Sequence, residues 1–240
     1  MEVNAPEELP AYTLRVSARA RRLQLRVTPW GQVEVVVPRN VSLARVVPFV
    51  REHRTWLQRT LTKMCATQDS VPDERPPERL ILAAVEEEWQ IGYDRSRRAT
   101  ARAEAAERRL MIGAPDDAAA RTMLRHWLRD YARSRLLPWL HTVSAECGLP
   151  FARATVRAQK TRWGSCSARG HISLNWQMIF LPPPLVRYLC VHELCHTVHL
   201  NHSRRYWELV RRHQADYAAN EKALRGAARH IPYWLTVAER

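Results

Sequence analysis

The sequence predicts an α+β fold, with a β-rich N-terminal region carrying one helix over residues 1–115 and an α+β region over residues 116–240. Hydrophobic patterning decides this. Residues 12–38 tend to alternate apolar and basic positions, as half-buried strands do, whereas from Asp116 the apolar residues recur at helical spacing. Residues 154–163 and 171–181 return to strand-like runs before a helical remainder.

Leu23, Leu25 and Val27, then Val33, Val35 and Val37, flank Pro29-Trp30-Gly31 and predict a β-hairpin. Ser42 is the expected N-cap of a helix with Val46, Phe49, Val50, Trp56, Leu57 and Leu61 on its apolar side. Pro72, Pro76, Pro77 and several charges mark residues 66–79 as a linker or exposed loop, and strands are expected near 80–92 and 108–112. The helix from Asp116 carries Met123, Leu124, Trp127, Leu128, Tyr131, Leu136, Leu137 and Leu140, and stops before Gly148 and Pro150. Gly164 to Gly170 reads as the turn between the two later strands. A helix after Pro182–Pro184 is expected to run through His199, with Ser203 capping the next one.

With 240 residues, 46% of them apolar, the chain can bury a real core, which argues against disorder. The longest apolar run, Met178 to Val191, is interrupted by Pro182, Pro183, Pro184 and Arg187, so no membrane span is expected. Five scattered cysteines form no CxxC, and the acidic Met1–Leu9 lacks the basic and apolar segments of a secretion signal; together they predict a cytoplasmic protein. A net charge of +14 attracts nucleic acid or anionic substrates. The basic residues are spread along the chain, as a general preference for arginine would give, so nucleic-acid contact is only one reading of the charge.

His192-Glu193-Leu194-Cys195-His196 carries the chemistry. Histidines four apart on a helix lie on one face and grip one tetrahedral zinc, with Glu193 placed to act on a water as general base. Shuffling this composition yields about 0.03 such motifs, and roughly 0.001 with a further histidine at one fixed spacing. That third ligand is read as His202, delivered after a helix break that Asn201 suits. His199 shares the helical face but would sit about 10 Å along the axis from His192, too far for a common ion; Glu208 is the fallback carboxylate. Four of the ten histidines fall between His192 and His202 in apolar surroundings, where burying them without partners is costly.

Lys160-Thr161-Arg162-Trp163-Gly164-Ser165-Cys166-Ser167, followed by His171 to Trp176, reads as a hairpin whose edge would pair with an extended peptide. Arg162, Lys160 and Asn175 are the candidates for substrate binding or oxyanion stabilisation. Cys166 and Cys195 are read as inert packing residues.

Arg162-Trp163-Gly164-Ser165-Cys166, Leu174-Asn175-Trp176, Tyr188 to His196, Asn201-His202-Ser203 and Tyr206-Trp207 together resemble the YgjP-like metallopeptidases, relatives of the SprT and WLM zinc proteases. The resemblance is strongest over 154–217 and extends to the N-terminal hairpin and helix. It implies a compact zincin-like metallopeptidase core that binds Zn2+ through His192, His196 and His202, with Glu193 as catalytic acid and base. Tyr206 stands where the family usually has Phe, and Cys195 where it often has Ala. The SprT and WLM relatives suggest, by analogy, substrates associated with DNA.

The leading expectation is a zinc peptidase acting on peptides or proteins. One alternative keeps the metal but hydrolyses a nucleoside triphosphate, although the chain has no Gly-rich phosphate loop. Another is a basic nucleic-acid module with structural zinc; such sites are usually closed by four protein ligands, whereas three histidines leave one position open.

Overall fold

The computed structural model describes residues 9–27, 32–65, 75–95, 98–159 and 162–235. The chain divides into two compact units, residues 1–72 and 73–240.

In the first unit, β1 (Tyr12–Ser17), β2 (Gln24–Val27) and β3 (Val33–Pro38) form one sheet in the order β1-β3-β2. Strands β2 and β3 are the expected antiparallel pair, Leu25 opposite Val35, while Pro29-Trp30-Gly31 lie outside the described residues. Strand β1 runs parallel to β3 on its other side, which the alternating pattern did not reveal. The single helix expected next is two, α1 (Val46–Glu52) and α2 (Arg54–Cys65), divided at His53. Val33, Val35 and Val37 pack with Val46, Val50 and Leu57 into this unit's core.

The second unit begins with β4 (Arg79–Leu82), β5 (Glu87–Asp94), β6 (Thr100–Glu104) and β7 (Arg109–Gly113), in the order β4-β5-β7-β6. Alternate residues Leu80, Leu82, Trp89, Ile91, Leu110 and Ile112 are buried. Helix α3 (Asp117–Cys147) starts where Asp116 accepts a bond from the Ala119 N–H and ends at Gly148, whose φ of 63° suits glycine. Trp127 and Tyr131 of α3 pack edge-on against Trp89 of β5, with centroids 4.8 and 5.3 Å away. This sheet and α3 fall in one compact unit, because the sheet's apolar residues need a cover. Every fourth residue of α3 from Ala120 to Leu140 is buried. Leu128→Ala, at a fully buried position, should lower unfolding free energy by about 2–5 kcal/mol in thermal or chemical denaturation.

Beyond α3, β8 (Arg153–Arg157), β9 (Gly164–Cys166) and β10 (His171–Asn175) form a sheet in the order β8-β10-β9. The stretch read as a turn from Gly164 to Gly170 therefore contains an edge strand, paired antiparallel with β10 from Gly164–Leu174 to Cys166–Ile172. The strand expected over 171–181 stops at Asn175, where the Asn175 side chain caps a short 3-10 turn, Trp176–Phe180. Helices α4 (Pro183–Cys195), α5 (Arg204–His213) and α6 (Tyr217–Leu224) complete the unit, α5 and α6 both packing on α4. Among the described residues, no helix is long and apolar enough to cross a membrane.

Candidate metal centre

Helix α4 begins on prolines, whose missing N–H groups cost nothing in a first turn, and nine of its thirteen residues are buried. It ends at Cys195, four residues before the expected His199. The chain tightens there: Thr197 N–H donates to Leu194 O, and Val198 and His199 N–H groups both donate to Cys195 O. The early stop brings the His199 carbonyl to the His196 ring, where Nδ1–H donates to it at 2.9 Å. With that proton on Nδ1, the Nε2 lone pair of His196 is free for a metal.

His202 follows the turn, immediately ahead of Ser203, whose hydroxyl accepts from the Tyr206 N–H and caps α5. Its Nε2 lies 3.2 Å from His192 Nε2, and the three candidate donor atoms of His192, His196 and His202 all fall within 4.8 Å of one another. Two nitrogens at ~2.0–2.1 Å from a tetrahedral zinc stand roughly 3.3–3.4 Å apart, close to the 3.2 Å of the His192–His202 pair, so three imidazoles gathered this closely suit that ion. Burial, and then the neighbouring His196 and His202, push the His192 ring down to about 3, which leaves it neutral, the form in which an imidazole can take a metal.

Aromatic packing fixes the rings. Tyr206 stacks on His196 at 4.5 Å and donates its hydroxyl to His192 O at 3.1 Å. Trp207 stacks on the exposed His202 at 5.4 Å, and Tyr217 stacks on Trp207 at 5.6 Å.

Glu193 is 4% exposed, and its Oε2 has no hydrogen-bond partner in the protein. Burial pushes the carboxyl up to about 8, against the pull of the Arg162 guanidinium. Its side chain lies against Gly164 of β9. A Cβ at residue 164 would sit 2.7 Å from Glu193 Cγ, 2.8 Å from Cδ and closer still to Oε1. Gly164 is thus the cradle for Glu193, and the added methyl of Gly164→Ala would force the carboxylate to move. A cleft of about 490 Å³ opens over the histidines and Glu193, with Arg162, Cys166 and Glu221 on its walls.

The YgjP-like, metallopeptidase domain family matches residues 21–227. The chain belongs to this family. No curated protein and no solved structure matches it. Membership in a metallopeptidase family supports a hydrolase, and the histidine cluster supports a divalent metal.

Among the secondary candidates of this YgjP-like domain, Arg162 lines the cleft and Lys160 lies outside the described residues. Asn175 is not on the cleft wall. Its Nδ2 donates to the Gln159 and Arg162 carbonyls at 2.9 and 3.0 Å, so it holds the backbone that presents Arg162. Glu208 pairs with Arg204 at 2.9 Å and is not among the clustered donors. Burial, and secondarily Glu193, raise the Cys166 thiol to about 11, which leaves it protonated near neutrality and suits the inert reading. Sequence reasoning gave Tyr188 no role beyond opening the motif that runs to His196, and it missed Glu221. Tyr188 precedes His192 by four residues, so helical spacing could have flagged it; Glu221 reaches the site on α6, and only tertiary packing reveals it.

Proposed function

We propose that this YgjP-like domain is a zinc-dependent peptidase with a zincin-type core, in which His192, His196 and His202 hold the ion and Glu193 moves the proton. The observation that carries this reading is a buried Glu193 carboxylate, one oxygen of it unpartnered, lining the same cleft as three converging imidazoles. Three imidazoles favour zinc over harder divalent ions, and three protein ligands are the complement of a catalytic site.

Zinc bound there would supply Lewis acidity, polarising the scissile carbonyl and acidifying the attacking water. Glu193 accepts that water's proton at a carboxylate oxygen and passes it to the departing amine nitrogen. The outer edge of β9, at the end of the sheet order and lining the cleft, offers backbone groups to an extended peptide. Arg162, held through its carbonyl by Asn175, supplies positive charge for the developing oxyanion. A cytoplasmic location belongs to the same reading, resting on unpaired Cys147, Cys166, Cys190 and Cys195.

The test is elemental analysis of the purified protein together with a screen of a peptide library and of nucleoside triphosphates. One zinc per chain with peptide cleavage is the expected result. Zinc with phosphate or pyrophosphate release and no peptide cleavage would overturn the substrate assignment, and absence of a tightly held metal after zinc loading would overturn the site.

A further inference from the structure

We propose that Glu221, acting through the Tyr188 hydroxyl, is a positioning residue for His192, and that α6 is therefore part of the metal site's support. This rests on the zinc reading above and extends it to two residues outside the HExxH motif.

The three ring braces differ. His196 donates Nδ1–H to a main-chain carbonyl, and His202 lies on the Trp207 indole. His192 has neither. Its Nδ1 faces the Tyr188 hydroxyl at 3.4 Å, and that hydroxyl is 2.8 Å from Glu221 Oε2. The proton positions follow from the chemistry of the partners. A carboxylate only accepts, so the Tyr188 O–H donates to Glu221. The phenol oxygen is then left as an acceptor for His192 Nδ1–H, which places the remaining lone pair on Nε2, the atom that faces His202. The chain of donors runs in one direction and selects one tautomer of His192.

The supporting framework is fixed at both ends. Tyr188 is fully buried, one turn before His192 on α4. Glu221 follows Asn220, which is 7% exposed and donates Nδ2–H to Asp216 O, tying the start of α6 to its second turn. Helix α6 packs directly on α4. Outer hydrogen bonds of this kind raise ligand basicity and restrict ring rotation.

The test is a double-mutant cycle on zinc affinity, read by competition with a chromophoric chelator and not by activity. Tyr188→Phe and Glu221→Ala should each weaken zinc binding by about 10–100-fold. Because both changes break one relay, Tyr188→Phe/Glu221→Ala should be no weaker than the worse single variant. Glu221→Gln, which keeps an acceptor for the phenol, should recover part of the loss. Circular dichroism of each metal-free variant confirms that affinities are compared between folded proteins. Losses that simply add, or variants with wild-type zinc affinity, would overturn the relay. So would a rise in KM at unchanged zinc affinity, which would make Glu221 a substrate contact on the cleft wall. A wild-type protein that binds no zinc would instead defeat the metal reading itself, so the two failures are distinguishable.

Discussion

Glu193→Gln is expected to keep zinc at one equivalent per chain while hydrolysis falls by about 10²–10⁴-fold, the range for loss of a positioned general base. The substitution preserves shape at a crowded position, since the side chain lies so close to Gly164 that a Cβ there would clash with it. It removes only the ability to take a proton. Folding should not suffer. Glu193 is buried with one oxygen unpartnered, and burial already favours its uncharged form, so a neutral amide is at least as well accommodated. The variant should therefore melt no lower than the wild type, which separates lost chemistry from lost structure. Turnover, metal content and melting temperature on the same preparation check this, and hydrolysis surviving in Glu193→Gln would remove Glu193 from the proton-transfer role.

The parts of this site that were legible in the sequence are those set by local geometry. His192 and His196 share a helical face because of a four-residue spacing, and Ser203 announces the start of α5 through its capping chemistry. The end of α4 was misjudged for a physical reason. Val198 and Leu200 prolong the apolar pattern, yet they are 53% and 62% exposed, so here apolar character did not report burial. Features that depend on distant pairing left no local trace: β1 lies parallel to β3, and the polar edge strand β6 carries no apolar alternation strong enough to mark it. The same holds for the grouping of α3 with the sheet ahead of it, which rests on side chains distant in sequence. Asn175 was legible as a notable residue but not in its role, because an amide that braces two loop carbonyls looks in sequence like one that meets substrate.

His202→Ala should abolish stoichiometric zinc binding, whereas His199→Ala should leave it intact, although the two histidines are close in sequence and only three residues apart. The difference lies in what each supplies. His202 offers a ring nitrogen to the cluster, and its ring is held by the Trp207 stack at the start of α5. Removing it takes away one of three donors, so the affinity loss should exceed the ~10–100-fold cost of a lost outer hydrogen bond. His199 acts through its main chain: its carbonyl accepts Nδ1–H of His196, and alanine keeps that carbonyl. The early end of α4 makes this arrangement available, because a helix continued through His199 would direct that carbonyl along the axis and away from His196. Zinc retained by His202→Ala and lost by His199→Ala would mean that the turn after α4 closes the other way round in the metal-bound protein. Zinc lost by both would mean that the His199 ring steadies the turn, with the carbonyl alone insufficient to hold His196.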